Sequence, residues 1–421
     1  MRLKKQITLA MALTMALASA YRAYAEMHGA ITGSYYNHDD DIDSYNFTFT
    51  RLRLKLDVND FMGENVSLRL RGSTRSVGGN DYNSTIPNNR IDTVKLTINK
   101  IFSIIDVQIG RQTMRDIPGA RVDGAQLRVN LGKNFGVGTF GGAAPDPYDD
   151  SFNRAYSTTG VYGFYRSLLN GLSFGYVTSR FNNAEDLSYF GGSGYATASP
   201  ELRFYGALRM DHNVDEDSYD LTNLFLSANF RPNRKAKFNF SYNEYRAVKR
   251  YQSMEYDLNF ELQKTMRLSA DFRVTNSARI YGRVDSRTRE SDGASAMLLL
   301  LGIKQTELFD RFFYHISVRS INYFTADIMQ FQTALGVETD DNLTAEVSAI
   351  YITNKQQDTP IEMNQWVMGA SVDWVSESRL FVSGKIEWSN ESYVDVESVY
   401  VAKEADEFGS MTYFLMMGYY F

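Results

Sequence analysis

The last residues of the chain alternate strictly. Tyr413, Leu415, Met417, Tyr419 and Phe421 fall on one parity, and Thr412, Phe414, Met416, Gly418 and Tyr420 fall on the other. A period of two is the signature of an extended strand whose side chains point to opposite faces. Five apolar or aromatic residues on one face, ending on Phe421, leave no room for a capping loop. In an open sheet such a strand would be an unprotected, adhesive edge. A closed barrel removes the problem, because the last strand pairs with the first.

The same period recurs along the chain. Thr48, Thr50, Leu52, Leu54, Leu56 and Val58 alternate with Phe47, Phe49, Arg51, Arg53 and Lys55. Val66, Leu68 and Leu70 alternate with Ser67, Arg69 and Arg71, and Ile280, Gly282 and Val284 with Arg279, Arg283 and Arg287. Leu343, Ala345, Val347, Ala349 and Tyr351 repeat the pattern. Short polar turns such as Gly132-Lys133-Asn134, Phe309-Asp310, Asp340-Asp341 and Ser376-Glu377-Ser378 separate these segments. Longer polar connections are expected over Arg75 to Asn89, Ala143 to Tyr156, Asn182 to Pro200 and Ser389 to Glu407. Short turns at one end and long loops at the other are characteristic of membrane barrels. The expected fold is a single all-β transmembrane antiparallel barrel. Its strand number should be even, best about 22 within a range of about 16–22, with no plug domain.

Composition agrees. The chain holds 28 Tyr and 27 Phe but only 7 Pro, which suits paired strands. No run after the N-terminal region reaches the roughly 18 apolar residues of a membrane helix. There is no cysteine, which excludes disulfides, thiolate zinc sites and covalently attached c-type haem. An acidic net charge of −6 argues against nucleic acid as a partner.

Arg2, Lys4 and Lys5 precede an apolar run from Ile7 to Ala18, and Ala23-Tyr24-Ala25 offers a small-x-small cleavage site. Residues 1–25 therefore read as a secretory signal peptide, leaving a barrel over 26–421 and an address in the bacterial outer membrane, reached through the periplasm. Cleavage would remove four cations and no acid, taking the net charge from −6 to −10.

The terminal run resembles the carboxyl-terminal signature of bacterial outer-membrane barrels, which implies recognition by the barrel-assembly machinery. The stretch Gly110-Arg111-Gln112 … Gly119-Ala120-Arg121-Val122-Asp123-Gly124-Ala125, followed by Phe140-Gly141-Gly142 and Pro145-Asp146-Pro147, resembles porin-like barrels of deltaproteobacteria. That resemblance implies one of two roles. One is a porin; the other is a barrel that sheathes a multihaem c-type cytochrome in an electron conduit. Any haem would then belong to the partner, and this chain itself is expected to carry no cofactor and no metal. Outer-membrane lipid and lipopolysaccharide are the remaining expected partners.

The candidate functional residues follow from facing. If Leu52, Leu54 and Leu56 meet lipid, Arg51, Arg53 and Lys55 must line the lumen. A charge on the lipid face costs about 2–4 kcal/mol near the midplane. Arg69 and Arg71, and then Arg279, Arg283 and Arg287, join them by the same parity. These rows read either as a basic ladder guiding anions or as a solvated wall balanced by Asp57, Asp257, Glu261, Asp271 and Asp285. Arg115, Asp116 and Arg121 would sit at a constriction if their loop folds inward; an ordinary surface loop is the other reading. Trp366 and Trp374 lie eight residues apart on one face, about 20 Å along the membrane normal after tilt. That is close to the separation of the two aromatic girdles of a membrane barrel. The four histidines, His28, His38, His212 and His315, are scattered, and no enzyme motif stands out.

The two roles are expected to separate on size. A barrel of 20 or more strands with short loops leaves a wide hole that something must fill, whereas a smaller count favours a plain pore.

Overall fold

The computed structural model describes residues 26–41, 46–61, 63–79, 89–253, 261–339, 342–357, 362–394 and 408–421. The expected signal peptide, Asp257 and the Asp340-Asp341 turn lie outside them. No helix occurs among the described residues.

The chain forms 22 strands. The first six are β1 (Glu26–Asp40), β2 (Phe47–Asn59), β3 (Val66–Gly79), β4 (Asn89–Ile101), β5 (Ile105–Thr113) and β6 (Arg121–Asn130). Then come β7 (Phe135–Pro145), β8 (Phe152–Arg166), β9 (Asn170–Phe181), β10 (Ala184–Ser199), β11 (Leu202–Asn213) and β12 (Ser218–Phe230). They are followed by β13 (Ala236–Tyr245), β14 (Gln263–Arg273), β15 (Ala278–Arg289), β16 (Ser295–Leu308), β17 (Phe312–Asn322) and β18 (Ala326–Glu338). The last four are β19 (Leu343–Gln356), β20 (Glu362–Val375), β21 (Leu380–Val394) and β22 (Phe408–Tyr420). Every strand pairs antiparallel with its sequence neighbours, and β22 pairs with β1 from Ala30↔Tyr420 to Asp40↔Ser410. The sheet is therefore a closed barrel with no free edge. Strands about 4.8 Å apart and tilted near 40° make a cylinder roughly 44 Å across between backbones.

The seam uses the whole terminal strand. Phe421 N donates to Gly29 O at 3.1 Å, and Gly29 N donates to Phe421 O at 2.9 Å. The Phe421 ring lies over Gly29, where a Cβ would come within 2.5 Å of it. His38 Nδ1 and Thr412 Oγ1 are hydrogen-bonded at 3.0 Å across the same seam. Deleting Phe421 removes both backbone bonds and the ring that closes on Gly29. The expected result is less folded, heat-modifiable barrel recovered from cells. Normal levels of the truncated chain would count against this.

The alternation places apolar side chains outside. Phe240, Leu268 and Leu299 are exposed, and with Val284 they stand in register across β13–β16. Leu301, Val318, Phe331, Tyr351 and Trp366 continue across β16–β20. On β22, Tyr413, Leu415, Met417 and Tyr419 are exposed on the same outer surface. Trp366 is exposed and packs on Tyr351 at 4.7 Å between ring centroids; Trp374, on the same face, is half-buried.

The ends differ as expected, with two corrections: the connection expected over Ala143 to Tyr156 shrinks to residues 146–151, because β7 runs to Pro145 and β8 starts at Phe152. The stretch 182–200 is not a long loop. Asn182 and Asn183, both at positive φ, make a tight turn, and β10 begins at Ala184. Two consecutive residues at positive φ match the twist of a hairpin. Gly191-Gly192-Ser193-Gly194, inside that expected connection, lies within β10 because neighbouring bulky groups occupy the space its glycines leave. A Cβ at Gly191 would meet Ile117 Cγ2 at 3.3 Å, and one at Gly192 would meet Phe174 Cδ2 at 2.9 Å.

Candidate functional site

The lumen is not an empty cylinder. Two connections on the loop end turn back into it. The first is the β5–β6 hairpin. Gly110 adopts φ +119°, open to glycine but strained for other residues, at the point where the hairpin leaves the wall. Beyond it, Met114 N donates to Ala120 O at 2.9 Å and closes a tight tip. Ile117 is fully buried, and Met114, Ala120 and Val122 are buried with it against Phe140, Tyr162, Phe164, Val177, Leu187 and Tyr189 of β7–β10. Gly175 of β9 makes the approach possible: a Cβ there would lie 2.8 Å from Ile117 Cδ1. Asp116, 3% exposed, pairs with Arg166 and faces Arg128 Nε at 4.0 Å. Arg209 stacks over the Tyr189 ring at 3.9 Å and pairs with Asp211 at 2.7 Å.

The second is the segment after β13. Val248 packs against the same apolar cluster. The segment is fastened to Asp186 of β10, which is fully buried. Arg250 Nη1 donates to Asp186 Oδ2 at 3.0 Å, and Ser253 Oγ donates to it at 2.9 Å. Gln252 N and Ser253 N donate to Oδ1 at 2.8 and 2.9 Å. Tyr251 N also donates to the Asp186 carbonyl at 3.1 Å. Asp186 can face inward because it is the extra residue of a bulge, where the β9 register steps from Glu185↔Arg180 to Leu187↔Ser179.

On the other side of the hairpin a hydrated cleft of about 600 Å³ remains against β2–β4. Arg51, Arg53, Lys55, Arg71, Arg90 and Arg121 line it with a single carboxylate, Asp92. Arg69 and Arg71 share Asp57 deeper on the same wall, Arg71 at 3.6 Å. Arg121 and Arg90 share Asp150 from the β7–β8 loop, Arg90 at 2.9 Å. Arg111 Nε donates to Asp123 Oδ1 at 2.6 Å, which stiffens the hairpin's cleft-facing side. Among the described residues, Arg53 and Lys55 have no carboxylate at ion-pair distance.

The remaining candidates divide by height. Arg283 and Arg267 converge on Asp285, Arg267 at 3.0 Å, so that stretch of wall is charge-balanced. Arg279 lies toward the turn end, in register with Arg273 and Lys304. Arg287 lies toward the loop end opposite Thr265 and Ala296, and Arg115 is exposed at the hairpin tip. The arginine rows therefore differ by place: charge-balanced on β14–β15 and locally positive on β2–β4. Asp186 and Arg250 escaped the sequence reading, because a bulge residue breaks the parity that identified the others. Among the described residues no group of three or more His, Asp or Glu could hold a metal ion.

No protein-family model and no curated protein matches the chain. Solved structures do. Pseudomonas aeruginosa OpdK with vanillate is 10% identical, with a TM-score of 0.47 over 94% of this chain and 99% of that one. A BenF-like porin from Pseudomonas fluorescens is 12% identical, with a TM-score of 0.47 over 94% and 98%. Acinetobacter baumannii OccAB2 is 8% identical, with a TM-score of 0.46 over 94% and 98%.

Proposed function

We propose that the chain is an outer-membrane porin that passes small polar or charged solutes through a lumen narrowed by its own residues 111–121 and 246–253. One observation carries this reading: a closed barrel with an apolar outer belt retains a charged, hydrated cleft beside an inward-folded hairpin. An apolar belt running around many strands cannot face water without aggregation, and a bilayer is its natural solvent. Inward charges cost nothing in such a setting because water fills the cleft.

The sheath for a multihaem cytochrome was the role that 20 or more strands favoured, and the barrel has 22. Its reason is gone, because the chain places two of its own segments in that space and pins both to the β8–β11 wall. Export under a leader at residues 1–25, insertion by the barrel-assembly machinery through Tyr413–Phe421, and lipopolysaccharide around the loop end belong to the same proposal.

Purified barrel in planar bilayers should give discrete ohmic steps, and mild-detergent extracts should yield no stoichiometric haem protein. A barrel that inserts and conducts nothing would refute the porin reading, and a co-purifying cytochrome would restore the sheath.

A further inference from the structure

The turn end carries a second basic site, separate from the cleft. Three successive turns meet there. Arg231 N donates to Glu201 O at 2.7 Å, joining the β12–β13 turn to the β10–β11 turn. Arg273 N donates to Lys235 O at 2.7 Å, joining the same turn to the end of β14. Asn233 Oδ1 accepts from Lys235 N at 2.8 Å and from Ala236 N at 2.9 Å, so the turn that carries Arg234 and Lys235 is itself fixed. Between these turns and the inner wall lies a cavity of about 660 Å³.

Its lining is one-sided. Arg231, Arg234, Lys235, Lys237, Arg273 and Arg279 face two carboxylates, Glu201 and Asp271. Glu201 already accepts from Ser199 Oγ at 2.7 Å. Among the described residues none of the six cations has a carboxylate at ion-pair distance. Register explains part of this: Arg273 stands directly across from Arg279, and Arg279 across from Lys304, so three neighbouring strands present cation beside cation. Like charges opposite one another in a sheet are destabilising. Higher on the same strands the protein avoids that cost, since Asp285 separates Arg267 from Arg283. At the turn end the compensation is partial: Asp271 stands across from Lys237, but Arg273, Arg279 and Lys304 have no carboxylate opposite them.

From this geometry we infer a binding site for a small multivalent oxyanion, a solute carrying two or more phosphate or carboxylate groups. A cavity of this size falls within the range of small-ligand sites, roughly 300–1,000 Å³. Arginine forks suit phosphate and carboxylate oxygens, and here they converge from separate strands and turns, so a ligand must offer several anionic groups to engage them together. The cavity opens toward the lumen, because Lys237, Arg273 and Arg279 share the inward face while Phe240, Phe272 and Ile280 point outward. A soluble ligand therefore fits better than a membrane headgroup.

The test uses the full chain in detergent micelles with inorganic triphosphate as the probe. Titration calorimetry should show one saturable site per chain, weakened steeply by added salt. The double variant Arg273→Gln/Arg279→Gln should bind at least tenfold more weakly, while Lys133→Gln, an exposed cation of the β6–β7 turn outside both basic sites, should bind as the parent does. Heat-modifiable migration verifies that both variants remain folded barrels. No saturable binding, or equal loss in the Lys133 variant, would overturn the site. Binding that survives only with anionic vesicles would assign the chemistry to lipid instead and refute a soluble ligand. None of these readouts depends on whether the barrel conducts.

Discussion

Asp186→Ala will free residues 250–253 from β10 and produce larger, noisier single-channel currents than the parent chain. The carboxylate is fully buried and accepts four hydrogen bonds, one of them from Arg250. Removing one partner of a buried ion pair costs about 3–5 kcal/mol, because the other charge and its donors lose their acceptor. Much of that cost falls on residues 250–253, which β10 otherwise holds through the Asp186 carbonyl, while Arg246 N on Thr222 O at 2.8 Å, Lys249 on Asp215 at 2.6 Å and Tyr251 Oη on Asn213 Oδ1 at 3.2 Å keep the start of the segment beside β11 and β12. A shift of this size moves an attached-to-released equilibrium by a factor of roughly a hundred or more. Arg250 would then become accessible to trypsin. Asp186→Asn keeps an acceptor for the backbone amides but loses the charge facing Arg250, so it should fall between parent and alanine. Barrels of Asp186→Ala with parental conductance and parental resistance to trypsin would show that the carboxylate is not the fastening.

How much of this was visible in the chain depends on the period of two. Wherever apolar and polar residues alternate, as in Thr48 to Val58 or on β22, strand, face and lumen position followed directly. The strand number of 22 followed with them. The reading weakened where glycine replaced the bulky member of the pattern. In β10, Gly191, Gly192 and Gly194 look like a loop until Ile117, Phe174 and Leu172 are seen occupying the space beside them. It failed where the parity itself is broken. Asp186 sits in a bulge, and Arg111, Asp123 and Arg121 lie beyond the Gly110 bend, so alternation carries no information about where they point. The inward hairpin was legible only as a loop with Arg115, Asp116 and Arg121 in it. That it seats Ile117 against Gly175 is a tertiary fact with no local signal. The same applies to the 246–253 segment, whose fastening lies some 60 residues earlier in the chain.

In the proposed porin, reversing the charge of Arg51, Arg53 and Lys55 together will shift ion preference from anions toward cations. The three side chains project on one face of β2 into a cleft where Asp92 is the only carboxylate. Successive inward residues stand about 7 Å apart along a strand. At that distance a unit charge in water feels about 0.6 kcal/mol from each of them. Screening at 0.1 M salt roughly halves this. Three reversals therefore change the energy of a monovalent ion in the cleft by about 2 kcal/mol, about twentyfold against the anion and about twentyfold in favour of the cation, so the anion-to-cation permeability ratio falls by a few hundredfold. The reversal potential under a KCl gradient reads this directly, and the glutamine triple variant should lie midway between parent and glutamate. At 1 M salt, where screening is nearly complete over such distances, all three should converge. An unchanged reversal potential in the glutamate variant would mean that ions pass elsewhere in the lumen. The balanced wall of Arg267, Asp285 and Arg283 would then be the better candidate for their route.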